Sequence, residues 1–461
     1  MNTTAALFGI SLGSVAIWLA TAVPASAIPP FARKYHTSCL TCHVTPPKLN
    51  AFGRAFKNRG YRMPGDDEEL IKEKQVPIGS PSWKRVWPEG TWPSSIPGGN
   101  YFGIDVEANF EVNPSAAVTN SFDGIGEVGL LFGGTLGESF SFYSDIELFE
   151  NGSPGGIGRL FVQYSHPSNY FNVRIGQFEP RAAPFSNHLR LSRFTGYLMN
   201  LYPTVPAGNF FGFSPNQKGV EIWGGKEGPG KKGGLMWSAG VVNGNFGGAV
   251  EALEDSPLSD LIEELELAAD THGNGLDVNS EKDFYFQASY KIGGLGVFGS
   301  GGSDVLVQAK NWRDNSLTLN GYYYRGVTGA FVGDGPTEDF SPNGNTFYRT
   351  GVTFDAWIYD LNVFGGWQRN HDSIIDGRIY RNDITMVEAN YVTPWPWLQP
   401  LVRFERVRPD FAPSFTRTTL SLSMMIRANV VFTVDGVVSG KQAPELRPFD
   451  DRFRMGLRVY F

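Results

Sequence analysis

Phe453-Arg454-Met455-Gly456-Leu457-Arg458-Val459-Tyr460-Phe461 is the stretch that decides the fold, because apolar and polar side chains alternate along it. A period of two is typical of a β-strand with one apolar face. Residues 103–112 follow the same pattern, with carboxylates on one face and apolar side chains on the other. Both stretches therefore predict strands with one wet face and one face toward lipid or core.

Further strand candidates recur along the chain with Gly, Pro, Asn and Asp between many of them. They lie near 125–135, 140–148, 157–166, 171–175, 218–225, 234–244, 284–292, 315–326, 347–358, 360–370, 384–393, 398–407, 417–427 and 429–438. Charged residues at alternate strand positions are costly in a soluble core and ordinary in a barrel with a wet lumen. Residues 101–461 therefore predict an all-β transmembrane barrel of about sixteen antiparallel strands. A soluble β-sandwich or propeller is the alternative.

Two features of the sequence predict export and the outer membrane. Residues 1–27 contain no charged side chain and finish Ala25-Ser26-Ala27, which predicts a signal peptide cleaved after Ala27, with a retained membrane anchor as the alternative. An aromatic residue at the end of the last strand resembles the recognition signal of outer-membrane barrels. The expected location is therefore integral to a bacterial outer membrane, in contact with its lipid.

The motif Cys39-Leu40-Thr41-Cys42-His43 predicts covalent attachment of one haem c. Each thiol can add to a haem vinyl group, and His43 then follows as the proximal iron ligand. The alternative is a redox dithiol of the thioredoxin type, which expects a βαβ unit around it. We assign residues 28–75 to a monohaem segment of helix and coil, and 76–100, rich in Trp, Pro and Gly, to a linker.

The sixth iron ligand is predicted less directly than the fifth. Met63 is favoured, because it is the only methionine in the haem segment and lies 20 residues after His43. His36 could serve if its loop folds over the opposite face. A barrel residue such as His166 or His188, or an open position, completes the alternatives.

Charge separates the haem segment from the rest of the chain. The protein has 39 basic and 46 acidic side chains. Residues 28–65 contain seven of the basic side chains and none of the acidic ones. Residues 66–461 therefore contain 32 basic and 46 acidic side chains. Such a cationic segment could be held as a plug inside an acidic lumen, or its charges could only neutralise haem propionates. The overall charge of −7 gives no indication of a nucleic-acid partner.

Two local patterns add helices to this scheme. Leu49, Phe52 and Phe56 predict one apolar face of a short helix that stops at Gly60. Residues 248–269 predict an acidic amphipathic helix within a long loop, either a solvated surface or a docking element.

The segment Ile28–His43, followed by Pro47–Phe56 and Gly60-Tyr61, resembles the haem region of the fused outer-membrane cytochrome–porins. This resemblance covers about 35 residues and implies haem c on Cys39 and Cys42 with His43 as proximal ligand. Some members of that family oxidise ferrous iron. Their Phe-Ala-Arg is followed by Gln-Thr-Gly, whereas Lys34-Tyr35-His36-Thr37 stands here.

The functional hypothesis is an outer-membrane electron conduit. Single electrons pass from an extracellular donor, with Fe²⁺ favoured by the resemblance, to a periplasmic cytochrome c or similar carrier. As an enzyme, the chain would be a ferrous iron oxidase. Acidic residues of the lumen could guide Fe²⁺ or only line it with water: Asp105, Glu107, Glu111, Asp145 and Glu147. The alternatives are a diffusion porin with a haem plug or redox sensor, a conduit for another donor, and a haem enzyme acting on a small molecule.

Overall fold

The computed structural model describes one closed antiparallel β-barrel together with the chain segments that contact its inner wall. The residues described are 30–64, 70–72, 75–76, 96–97, 102–114, 119–122, 126–136, 139–150, 153–182, 195–201, 211, 213, 216–244, 279–300, 310–332, 339–440 and 451–460. The predicted signal peptide, the amphipathic stretch 248–269, His188 and most of the linker lie outside these ranges.

The barrel sheet has eighteen strands, of which Asn120–Phe122 and Ser153–Pro154 are short extensions of hairpins. The other sixteen form the wall: β1 Phe102–Val112, β2 Glu127–Leu136, β3 Phe140–Glu150, β4 Ile157–Ser165, β5 Asn172–Phe178, β6 Gln217–Glu227, β7 Lys232–Val242, β8 Asp283–Leu295, β9 Ser316–Val332, β10 Asp339–Ile358, β11 Leu361–Ile374, β12 Ile379–Tyr391, β13 Leu398–Pro409, β14 Phe415–Arg427, β15 Val430–Ser439 and β16 Arg452–Tyr460. The predicted antiparallel barrel and its strand number are confirmed.

Closure of the barrel joins the last strand to the first. β16 pairs antiparallel with β1, with Tyr460 opposite Asp105 and Phe453 opposite Val112. Closure gives every wall strand two neighbours, so no open edge exposes unpaired backbone groups to lipid. The soluble alternatives are therefore excluded by the architecture.

The two faces of the wall have opposite chemistry. On β4, Leu160 and Val162 are half exposed on the outside, whereas Phe161 and Gln163 are 3% and 2% exposed on the inside. The same alternation repeats around the wall, which gives an apolar exterior and a polar and aromatic interior. Among the described residues, no helix is long and apolar enough to cross a membrane.

The two ends of the barrel differ in the length of their connections. One end, here called the short-turn end, carries the connections 137–139, 166–171, 228–231, 359–360, 392–397 and 428–429, with one longer connection, 296–315. The other end, the long-loop end, carries 113–126, 179–216, 243–282 and 440–451 among its connections.

The N-terminal segment, residues 30–64, lies against the inner wall at the short-turn end. It contains helix α1 Pro30–Lys34, a 3₁₀ turn Cys39–Thr41, a hairpin of His43–Thr45 with Lys48–Leu49, and helix α2 Ala51–Asn58. The side chain of Asn50 caps α2 by accepting the N–H of Gly53 at 2.9 Å. The predicted helix is confirmed for Phe52 and Phe56 and ends two residues before Gly60, but Leu49 was wrongly included, since it lies in the hairpin strand ahead of the Asn50 cap.

A second segment also enters the lumen, from the connection between β5 and β6. Thr195–Leu201 ends in the short helix α3 Leu198–Leu201. Glu405 accepts the backbone N–H of Leu198 at 2.7 Å, and Arg403 donates to the carbonyl oxygen of Thr195 at 2.7 Å. Two described segments are therefore inserted in the lumen, and they share one aromatic core with the wall.

Of the predicted linker, only Val76, Ile96 and Pro97 are described; the strand Gln75–Val76 pairs with Ile96–Pro97.

Candidate functional site

A cavity of the lumen adjoins the Cys-x-x-Cys-His motif. It has a volume of about 480 Å³, within the range of roughly 300–1,000 Å³ common for ligand sites. Cys39, Cys42, His43 and Met63 all line it. The structure thus brings together the two cysteines, the predicted proximal ligand and the favoured distal ligand.

The two walls of this cavity are chemically different. The N-terminal segment contributes an apolar side: Phe31, Tyr35, Leu49, Phe56, Tyr61 and Met63. Phe31 stacks on Tyr61 with ring centroids 4.9 Å apart, and Tyr61 stacks on Tyr143 of β3. Strands β1 to β4 and β16 contribute a charged side with both carboxylates and guanidinium groups. An amphipathic cavity of this kind suits a planar apolar group with charged substituents.

His43 is held in the tautomer that metal coordination requires. Its Nδ1 atom lies 3.1 Å from the carbonyl oxygen of Pro47. Because a carbonyl oxygen can only accept, the proton is on Nδ1 and the lone pair is on Nε2. Burial also lowers the pKa of His43 to about 4, so the ring is neutral at ordinary pH.

The two thiols differ from those of a redox-active dithiol. Both are free, and burial raises the pKa of Cys39 to about 11 and that of Cys42 to about 12. Reactive dithiols instead have a lowered pKa at their nucleophilic cysteine. The setting of Cys39 and Cys42 therefore disfavours the thioredoxin-type alternative.

The alternative distal ligands occupy different positions. Met63 is 2% exposed and faces the cavity. His36 is exposed and does not line it, and His166 is an exposed residue of the β4–β5 turn that contacts Ser168. Among the described candidates, Met63 alone shares the cavity with His43.

Lys48 fixes the hairpin that carries His43. Its ammonium group donates to the amide oxygens of Asn362 and Asn390, each at 2.8 Å, and lies 3.9 Å from Glu388. Burial lowers the pKa of Lys48, and the nearby carboxylates oppose this effect. Sequence reasoning missed this contact because more than 300 residues separate the partners.

The acidic residues predicted to face the lumen do so, but arginines neutralise several of them. Arg458 of β16 pairs with Asp105, Glu107 and Glu127, and Arg454 pairs with Glu111. Arg159 pairs with Asp145. No cluster of three or more His, Cys, Asp or Glu side chains suited to a metal ion occurs within the described ranges. These carboxylates therefore form a wall of ion pairs.

The closed wall of sixteen strands with an apolar exterior defines an outer-membrane type of β-barrel with the porin fold. Among solved structures, it is similar to a loop-deletion mutant of OmpT, an outer membrane protein of Vibrio cholerae, with a TM-score of 0.50 and 11% identity over 78% of this chain and 98% of that one. An anion-selective porin from Comamonas acidovorans has a TM-score of 0.49 and 13% identity, over 78% and 98% of the two chains. The fold supports an integral location in an outer membrane.

Sequence comparisons add no family. No family model matches the chain, and no curated protein matches it. At 11% identity, the likeness to OmpT shows a common fold and nothing about the N-terminal segment.

Proposed function

We propose that this chain is an outer-membrane electron conduit of the cytochrome–porin kind, carrying one haem c in the lumen. The observation that carries the proposal is a cavity lined by Cys39, Cys42 and His43 that has one apolar side and one charged side. Haem c bound there would supply a one-electron couple between Fe(III) and Fe(II).

The chain's own residues supply attachment, orientation and exclusion of water. Cys39 and Cys42 would hold the haem through thioether bonds, and His43 and Met63 would supply the nitrogen and sulfur that bind its iron. The Pro47 carbonyl holds the imidazole in one orientation, while Phe31, Phe56 and Tyr61 keep water from that side. The segment acts as a plug, tied to the wall by Lys48.

The position of the cavity supports a path for electrons from one side of the membrane to the other. Outer-membrane barrels have short periplasmic turns and longer extracellular loops, so we assign the short-turn end, with residues 30–64, to the periplasm. The cavity extends from Tyr460 at that end to Asn216 and Glu127, which adjoin connections of the long-loop end. An extracellular donor, with Fe²⁺ favoured, would approach from the long loops, and a periplasmic cytochrome c or similar carrier from the turns.

Stopped-flow absorbance tests this function directly. Detergent-purified oxidised protein is mixed anaerobically with Fe(II), and the reduced α-band is followed. Rapid reduction that is lost in His43→Met, with Met386→Leu as the matched control, supports iron oxidation through this site. Reduction by dithionite but not by Fe(II) keeps the conduit and excludes ferrous iron as its donor. Absence of covalent haem in protein from a host that matures c-type cytochromes would contradict the proposal.

The porin-like fold also favours a second function, the passage of small solutes. The two inserted segments oppose it, because they fill much of the lumen. Single-channel conductance in planar bilayers distinguishes the two functions. A conductance typical of a general porin in the intact protein would favour solute passage. Conductance that appears only after removal of residues 28–75 would favour the electron conduit, in which these residues close the lumen.

A further inference from the structure

A second cavity of about 220 Å³ borders α2, where Arg54, Lys57 and Asn58 line it. It shares Leu49, Lys57 and Glu179 with the larger cavity, so the side chain of Lys57 stands where the two meet. With about 30 Å³ for each water, this volume holds roughly seven water molecules or one small polar group.

Positive charge exceeds negative charge on the lining of this second cavity. Arg174 and Arg181 share a single carboxylate, Glu221, at 2.9 and 3.0 Å. Glu221 also accepts the hydroxyl of Tyr285 at 2.6 Å, so its oxygens are fully used. Arg54 pairs with Asp355, and that pair is balanced. One guanidinium charge is therefore left without its own counter-ion.

Lys57 adds a further positive charge, which Glu179 on the lining of both cavities offsets only in part, because Arg181, Arg159 and Arg174 also lie near Lys57. None of the described residues forms a hydrogen bond or ion pair with its ammonium group. Two further donors are buried nearby without acceptors: Nε of Arg174, a residue that is 2% exposed, and Nδ2 of Asn320. Buried donors without acceptors cost free energy that a bound acceptor would recover.

We propose that Lys57, Arg174 and Arg181 form a binding site for one oxyanion group, a carboxylate or an inorganic oxyanion, in this second cavity. Charge-assisted hydrogen bonds from guanidinium and ammonium groups are the usual means of holding such groups. The carboxylate has two sources. The first source is a free anion in the lumen, and the second is a propionate of the proposed haem. Only the second source rests on the proposed function.

The surroundings of Lys57 link binding to pH. Burial lowers the pKa of Lys57 to about 7; Glu179 opposes this, whereas Arg181, Arg159 and Arg174 lower it further. A bound anion favours the charged ammonium, so binding takes up a proton. The affinity then falls as the pH rises through 7, by about tenfold between pH 6 and pH 8.

Calorimetric titration of the detergent-purified full chain with sulfate tests the site, because sulfate keeps its charge over this pH range. Wild type binds about tenfold more tightly at pH 6 than at pH 8. Lys57→Arg binds at both pH values alike, since a guanidinium group stays protonated. Lys57→Met binds at least about tenfold more weakly at pH 6, the loss of one charge-assisted contact. Lys232→Met, at an exposed lysine, behaves as wild type.

Resonance Raman spectra of haem-loaded protein distinguish the two sources of the carboxylate. If a propionate occupies the site, sulfate does not bind, and Lys57→Met shifts the propionate bending band while Lys232→Met leaves it unchanged. Sulfate binding by protein that carries no haem supports the anion site. The absence of haem from that protein contradicts the proposed cofactor. The site is overturned if Lys57→Met binds sulfate as wild type does. It is equally overturned if wild type shows neither sulfate binding nor a propionate band sensitive to Lys57.

Discussion

The Nζ atom of Lys48 lies 2.8 Å from Oδ1 of Asn362, on the inner face of β11. Lys48 is next to Pro47, whose carbonyl oxygen orients His43. One buried ammonium group therefore couples the position of the candidate iron ligand to the barrel wall.

Replacing Lys48 by Met removes two hydrogen bonds from a charged donor and leaves two amide oxygens without it. Hydrogen bonds to charged groups contribute about 1.5–3 kcal/mol each, and relief of the buried charge offsets part of this. We expect residues 30–64 to detach from the wall more often, so that limited proteolysis cleaves them at least about tenfold faster. The barrel itself keeps its heat-dependent gel mobility.

Lys232→Met is the matched control for this experiment, because Lys232 is exposed. Equal protease protection of residues 30–64 in Lys48→Met and Lys232→Met would show that Lys48 does not hold the segment.

The barrel seam depends on Arg458. It is the shared partner of Asp105, Glu107 and Glu127, so Arg458→Met leaves three carboxylates close together in the lumen. Breaking a buried ion pair costs about 3–5 kcal/mol. We expect Arg458→Met to unfold at a lower temperature, as measured by heat-dependent gel mobility. Millimolar Ca²⁺ should restore part of the lost unfolding temperature, because carboxylate oxygens bind hard cations.

Arg369→Met provides the comparison for the seam. Arg369 pairs with Asp383, and both side chains are a third or more exposed, so this change costs about 1 kcal/mol or less. An unfolding temperature for Arg458→Met equal to that of Arg369→Met would refute the role of the seam cluster.

The wall was predictable from the sequence, whereas the contacts inside it were not. A period of two is a local property that most of the strands show within about ten residues, although β2 interrupts it with Leu130, Leu131 and Phe132 in a row. The partners of Asp105 and Glu107 depend on how β16 closes on β1, and no local pattern records that register. Sequence analysis therefore found the carboxylates but not the arginine that neutralises them.

For the candidate site, too, the local motif was predictable from the sequence and the long-range contacts were not. The Cys-x-x-Cys-His spacing is local and was visible at once, and Met63 follows from its place in the same segment. The contacts of Lys48 with Asn362 and Asn390 join residues more than 300 positions apart. The inserted segment Thr195–Leu201 gave no signal, because its short apolar run is equally typical of an ordinary loop.

Gly53 allows α2 to approach Cys42. A Cβ atom at Gly53 would lie 2.1 Å from the carbonyl oxygen of Cys42, so Gly53→Ala must displace the helix or the motif. Overpacking of this kind costs about 1–3 kcal/mol. We expect less covalent haem per chain, measured by absorbance of the denatured protein, and faster proteolysis of residues 30–64.

A β-strand glycine in open space is the matched control for Gly53. A Cβ atom at Gly436 would meet no described atom within 4 Å, so Gly436→Ala should preserve both haem content and protease protection. Haem content and protection of Gly53→Ala equal to those of Gly436→Ala would rule out a close approach at Cys42.

Met63 provides the last test, because its role as distal ligand can be separated from its packing. It is 2% exposed, and Met63→Leu nearly conserves its volume, so the segment should lose about 1.5 kcal/mol or less. If its sulfur is the sixth ligand, the reduced Met63→Leu protein binds carbon monoxide without denaturation, whereas wild type and Met386→Leu do not. Binding of carbon monoxide by reduced wild type would instead assign an open position and favour a haem enzyme acting on a small molecule.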